Sequence, residues 1–195
     1  MNILPFSFWK NASSKRKRIY SIIFMLILAV LATILGTFVP LSAQEAQQIN
    51  DSINQTVTTN IASGTLIPAI FFNNFLLCLA MFIPIVGAVF GLFIMFNTGI
   101  ALGAEIGVQG ISNVSVAVPE ISPSIAILGL IGIGLVFLLE YVSYSIGIAE
   151  SVWLFRRLTQ HRWGELKNTG ILIGVVAALL ITGAAVETWV ITAIG

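Results

Sequence analysis

The sequence predicts an all-α fold, a polytopic transmembrane helical bundle of about five spans with its N-terminus in the cytoplasm. Three observations carry that expectation. Hydrophobic residues make up 57% of the 195 residues and charged residues only 9%, against about a quarter charged in ordinary soluble domains. A mean hydropathy of +1.01 leaves too few polar side chains to cover a fold in water, so lipid must be the solvent. Finally, all nine cationic residues fall in two clusters: Lys10, Lys15, Arg16, Lys17 and Arg18, then Arg156, Arg157, Arg162 and Lys167. Short cytoplasmic segments retain Lys and Arg during insertion, so both clusters are expected inside, with an even number of crossings between them. The net charge of +1 provides no field to attract nucleic acid, and the single Cys78 excludes a disulfide framework or a Cys/His metal site.

The elements follow in order. Residues 1–19 form a basic cytoplasmic N-terminus. The uncharged run Tyr20–Leu41 is long enough to cross and exceeds the apolar core of a signal peptide, so it is expected to be a retained anchor leading outward. Ser42–Thr65 contains Glu45 and Asp51 but no cation, which suits an external polar loop. Asn50-Asp51-Ser52 and Asn54-Gln55-Thr56 are acceptor-type sequons there, although Asn11-Ala12-Ser13 shows how readily such triplets arise. Leu66–Val108 is 43 residues of nearly unbroken apolarity, roughly twice a bilayer's thickness. Two readings stand: two spans meeting near Pro84 (Leu66–Ile83 and Ile85–Glu105), which we prefer, or a kinked span with a re-entrant segment around Asn97-Thr98-Gly99. Gln109–Pro123, with Pro119 and Glu120, is then external. Ser124–Phe155 returns inward to a basic cytoplasmic loop, 156–168, and Thr169–Ile194 is the last span. Residues 66–195 together form the bundle, and Trp153, Trp163 and Trp189 fall near span ends, where indole rings favour the headgroup zone.

Three constellations stand out inside the membrane. Gly87, Gly91, Gly99, Gly103 and Gly107 recur at four-residue spacing, with Met95 filling the gap, and small residues so placed let helices approach closely. Packing within the chain is the preferred use of this ridge and self-association the other; Gly170 and Gly174 repeat the spacing. A polar stripe, Glu140, Ser143, Tyr144, Gly147, Glu150 and Ser151, occupies one side of the fourth span, where no intramembrane cation is available to it. Glu140, halfway along, is either a proton or cation site or interhelical glue bonded to Asn73, Asn74 or Tyr144. The amides Asn73, Asn74 and Asn97 must find partners in hydrocarbon, and structural bonding is preferred to ligand coordination. Glu105 and Glu187 are expected at outer span ends in contact with water, and His161 on the surface of the basic loop. No catalytic triad, HExxH, phosphate loop or paired metal ligands occur, so neither enzyme activity nor a metal or cofactor is expected.

The block FFNNFLLCLAMFIPIVGAVFGLFIMFNTGIALG, Phe71–Gly103, resembles the signature of the stage II sporulation protein M-like family of integral membrane proteins. The shared features are paired Asn opening a span, a proline, spaced glycines, and Asn-x-Gly followed by further glycines. A preceding anchor with a polar outer segment and a later helix bearing LLEYVSYSIGIAE, Leu138–Glu150, fit the same plan. Asn73, Asn74, Asn97, Gly99 and Gly103 match best. Many members carry His-Gly-x-x-Glu at the start of the later helix, where this chain offers Glu140 and Tyr144 without a histidine. The resemblance implies a scaffold holding other proteins at the membrane.

The expected function is therefore a non-enzymatic scaffold or assembly component in the cell membrane. Its partners would be the lipid bilayer and other membrane or envelope proteins, or a second copy of the chain. They would engage the outer segment Ser42–Thr65, the glycine ridge or the basic loop. The alternative is a small oligomeric transporter or channel using Glu140 and Glu150. A third idea has the outer segment binding envelope polymers.

Overall fold

The computed structural model describes residues 12–112 and 123–194. Lys10, the Asn11 sequon, Pro119 and Glu120 lie outside the described residues, as does most of the connection expected to be external at Gln109–Pro123. Among the described residues six helices follow one another: α1 (Ser14–Thr37), α2 (Ala43–Ala62), α3 (Leu66–Met81), α4 (Val86–Ser112), α5 (Pro123–Leu158) and α6 (Glu165–Ile194). Four of them, α1, α4, α5 and α6, are long and apolar enough to cross a bilayer, whereas α3 is a shorter apolar helix of 16 residues.

The segment expected as an outer loop is instead the helix α2, and its ends explain why. Ser42 and Glu45 form a reciprocal capping box: the Glu45 amide donates to Ser42 Oγ (3.3 Å) and the Ser42 amide to Glu45 Oε2 (2.9 Å), satisfying two amides that the helix start would otherwise leave open. Those bonds, from the Ser42 backbone first and its hydroxyl second, hold the Glu45 carboxyl below the usual carboxylate range. At the other end Gly64 adopts φ +67°. Its amide reaches the Ile61 carbonyl while that of Thr65 reaches Asn60, the left-handed stop that glycine makes without a Cβ clash. The basic loop is likewise shorter than expected: α5 continues to Leu158, carrying Arg156 and Arg157 in its last turn, where cations complement the helix dipole.

Side-chain bonds fix how the helices run. Thr33 of α1 meets Tyr141 of α5 (2.8 Å), and Arg18 meets Glu150, so α1 and α5 are antiparallel. Asn74 meets Glu140 and Ile83 meets Ser151, so α3 runs parallel to α5. Ala88 meets Ser151, while Gly91 packs on Ile148, so α4 is antiparallel to α5. Thr169 meets Glu150 and Gly132 packs on Val190, so α6 is antiparallel to it as well. Hence α3 and α4 form a hairpin, and α5 is the central helix, with every residue from Ser143 to Ser151 buried.

The hairpin turn, residues 82–85, forms where Pro84 cannot continue a helix. Ile85 sits at φ +66°, a left-handed conformation that a β-branched residue adopts only under constraint. The constraint comes from α5: Ser151 Oγ donates to the Ile83 carbonyl (2.6 Å) and accepts from the Ala88 amide (3.1 Å). One buried hydroxyl thus serves both arms of the turn, as a second acceptor for the Ala88 amide, which also reaches the Ile85 carbonyl (3.1 Å).

The distribution of side chains is inverted relative to a soluble protein. Ser143, Ser145, Glu150 and Ser151 are buried, while Leu35, Val89 and Leu130 are 63%, 70% and 73% exposed. Hydrocarbon is the solvent for which this arrangement is stable, and the chain is a multi-pass integral membrane protein.

The glycine ridge does not present a single face to one partner. Four residues of an α-helix advance about 400°, so each step of four drifts about 40° around the axis. Gly87 accordingly faces the Met81 carbonyl and Gly91 faces Ile148, whereas Gly99 and Gly103 face the backbone of Thr33 and Thr37 on α1, with Gly36 approaching from that side. Gly107, Gly170 and Gly174, expected to pack alike, have open space where a Cβ would lie. A valine at Gly99 would drive its Cβ into the Thr33 carbonyl, so Gly99→Val is expected to abolish the monodisperse detergent-solubilised species on gel filtration. Ser151→Ala, which removes two buried hydrogen bonds but leaves the Ile83 carbonyl to the Gly87 amide and the Ala88 amide to the Ile85 carbonyl, should lower stability by about 1–3 kcal/mol in denaturant titration, with Gly107→Ala unchanged as the comparison.

Candidate functional site

Two polar centres lie along α5. The first gathers at the basic end. Glu150, 1% exposed, receives both arms of the Arg18 guanidinium (2.9 Å for Nε–Oε2) and the hydroxyl of Thr169 (2.5 Å). The expectation that Glu150 lacks a counter-ion is corrected: α1 begins just outside its apolar run, and that offset brings Arg18 level with Glu150 in the antiparallel packing. Glu165 extends the network at 3.8 Å to Arg18, 3.9 Å to Arg157 and 3.4 Å to Arg162. The indole of Trp153 lies against two guanidiniums, 5.4 Å from Arg18 and 4.4 Å from Arg157, distances at which the ring quadrupole attracts a cation.

The second centre lies mid-span. Asn74 Nδ2 donates to Glu140 Oε1 (2.5 Å), and Asn73 Nδ2 donates to Asn74 Oδ1 (3.2 Å). These groups border a cavity of about 270 Å³ that Thr98, Tyr141, Tyr144 and Glu187 also line. Asn74 is the amide that serves as partner to Glu140. Tyr144 is buried beside the carboxylate, on the cavity. Asn97, expected at this centre, is exposed and donates back to its own helix at the Phe93 carbonyl (2.8 Å); the neighbouring Thr98 faces the cavity instead. Glu187, expected to sit at a wet outer end, is half-buried on the same cavity as Glu140, because α6 packs antiparallel on α5 and its carboxylate turns inward. Nothing in the local sequence around Glu187 signals this, since the partner stripe is 47 residues away. Glu105 remains exposed, as does His161 at φ +57° in the connection between α5 and α6.

A further set of bonds lies at mid-depth. Tyr141 Oη donates to Thr33 Oγ1, whose own proton is shared between the carbonyls of Ala29 (3.1 Å) and Met95 (3.0 Å). The chain of bonds ties α5, α1 and α4 at mid-depth. Cys78 donates to the Ser143 carbonyl (3.4 Å) and is buried. Among the described residues, no group of three His, Cys, Asp or Glu is arranged to hold a metal ion.

The two centres differ chemically. At the basic end both carboxylates, Glu150 and Glu165, are paired with arginines, so the centre holds helices together. At mid-span two carboxylates share a cavity with amides and hydroxyls but no cation, an arrangement able to take up a proton or a small cation. Glu150→Gln should therefore destabilise by about 3–5 kcal/mol, since it leaves the Arg18 guanidinium only the looser contact to Glu165 (3.8 Å), whereas the double replacement Arg18→Met with Glu150→Leu recovers most of that loss; unfolding in mixed micelles measures both. Comparison with protein-family models, with curated proteins and with solved structures finds no match to the chain.

Proposed function

We propose that this membrane protein is a scaffold or assembly component of a membrane- or envelope-associated complex, without catalysis of its own. The observation that carries the reading is α2. A polar segment between two apolar helices is capped at both ends, and Asn50 Nδ2 ties it to the Ala104 carbonyl of α4 (3.2 Å). Most of its side chains are exposed. Ala46, Ile49, Ile53, Val57 and Ile61 recur at three- and four-residue steps along one face; Ala46 is buried, but Ile53 and Ile61 are 44% and 45% exposed. A rigid helix offering a half-covered apolar stripe is suited to docking another protein. The resemblance of Phe71–Gly103 and Leu138–Glu150 to the stage II sporulation protein M-like family supports the same reading.

In this proposal the chain crosses five times. The alternating directions of α1, α3, α4, α5 and α6 suit that count, with the 16 residues of α3, about 24 Å long, as the short span. The retention of basic segments on the cytoplasmic side places the N-terminus there and α2 outside. A photo-crosslinking side chain introduced at Asn54, on α2, should yield one defined protein adduct in intact cells, with the yield falling on Ile53→Asp. The same probe at the lipid-facing Val89 should yield none. Absence of any adduct at Asn54 and at further exposed α2 positions would remove the scaffold reading.

A second reading, a small oligomeric transporter or channel, is favoured by one observation: Glu140 and Glu187 border the same cavity. Glu150, held by Arg18, drops out of that pathway. The transporter reading requires that purified protein in liposomes conduct protons or a cation and that Glu140→Gln reduce the flux at least tenfold. Flux indistinguishable from empty liposomes would eliminate it.

A further inference from the structure

We propose that the crevice between the first turns of α1 and the last turns of α5 binds the phosphate of an anionic phospholipid headgroup. The cavity measures about 140 Å³ and is lined by Lys17, Trp153, Arg156, Arg157 and Gln160. At about 30 Å³ per water, it has room for a phosphate group but not for a nucleotide. Among the described residues three cations and an amide line it, and no carboxylate does. The two nearby carboxylates are already engaged: Glu150 by Arg18 and Thr169, and Glu165 by Arg18, Arg157 and Arg162. Lys17, Arg156 and Arg157 thus bring three positive charges to one crevice. Arg157 is held in place by the Trp153 ring (4.4 Å) and by bonds to Gln160 Oε1 and Ser14 Oγ, both 3.4 Å, so part of the site is preorganised.

Depth and shape select a lipid over a soluble anion. Lys17 precedes the apolar run that begins at Tyr20, and Arg156 directly follows the run that ends at Phe155. The cations therefore sit at headgroup level, with the indole of Trp153 beside them. On α1 the face that carries Lys17 continues through Phe24, Leu28, Leu31 and Leu35 at helical spacing. Phe24, Leu31 and Leu35 are 56%, 48% and 63% exposed. An acyl chain can follow that track while its phosphate occupies the crevice, whereas inorganic phosphate would use only the crevice.

The test uses the full chain in neutral detergent, titrated with phosphatidylglycerol or phosphatidylcholine and read by native mass spectrometry as bound lipid per protein. Phosphatidylglycerol should be retained in preference to phosphatidylcholine. Lys17→Gln and Arg156→Gln, which leave Arg18, Arg157 and Arg162 in place, should each weaken retention roughly fivefold. Lys15→Gln with Arg16→Gln removes two exposed charges from the same end but outside the crevice, and it should change retention less than twofold. A thermal shift with phosphatidylglycerol, absent in the Lys17→Gln variant, gives a second readout. Equal retention of both lipids would overturn the proposal. So would an equal loss in the Lys15/Arg16 variant, which would mean a diffuse field, or an equal shift with inorganic phosphate alone, which would mean a soluble ligand.

Discussion

Arg18 and Glu150 form the pair on which the register of the bundle depends. A carboxylate buried among helices is stable only if its charge is matched and its remaining lone pairs are bonded. Arg18 supplies the first condition and Thr169 the second, so a single side chain of α5 fixes the axial positions of α1 and α6 together. Once those positions are fixed, Thr33 falls beside Tyr141 and Met95, Gly36 falls beside Gly99, and Gly132 of α5 falls beside Val190. Sliding α1 by one turn would separate the ions by about 5.4 Å and take Thr33 away from Tyr141 and Met95, leaving its hydroxyl only the Ala29 carbonyl of its own helix. Lipid offers no replacement partner for either group.

The remaining polar groups obey the same rule with less charge. Lipid forces every backbone group at the α3–α4 turn to find a protein partner, and Ser151 serves two of them. The turn therefore depends on α5 as much as on its own Pro84. The α4 helix is served differently: its glycines wind about the axis, so its early part accepts α3 and α5 closely and its later part accepts α1. Four-residue spacing here distributes close approach among three neighbours and leaves Gly107 facing open space. Apart from Gly107, the ridge is used for packing within the chain.

The two polar centres divide the labour of the fold. The basic end is saturated with ion pairs and ring contacts, giving rigidity where the bundle meets the headgroups. The mid-span cavity holds Glu140 and Glu187 with amides and hydroxyls and keeps the only uncompensated acidic pair described within the bundle. Scaffold and transporter readings thus draw on different places in one structure, α2 for the first and the cavity for the second, and each is open to test without disturbing the other.

Composition and charge placement by themselves determined the all-helical membrane architecture, because the choice of solvent is a property of the whole surface and the basic clusters are local. The break near Pro84 and the polar stripe on α5 were legible for the same reason, since each rests on residues close in sequence, whereas Asn74 was one of three partners open to Glu140, beside an ion site. The helical state of 43–62 was present in the Ser42–Glu45 capping box and the Ser63-Gly64 stop, but a polar composition obscured it. Only tertiary structure decided that Arg18 answers Glu150, 132 residues away, that Glu187 shares a cavity with Glu140, and that Asn97 and Gly107 lie outside their expected groups. Those facts depend on the axial offset and rotation of packed helices, and neither quantity is encoded in the periodicity of any one helix.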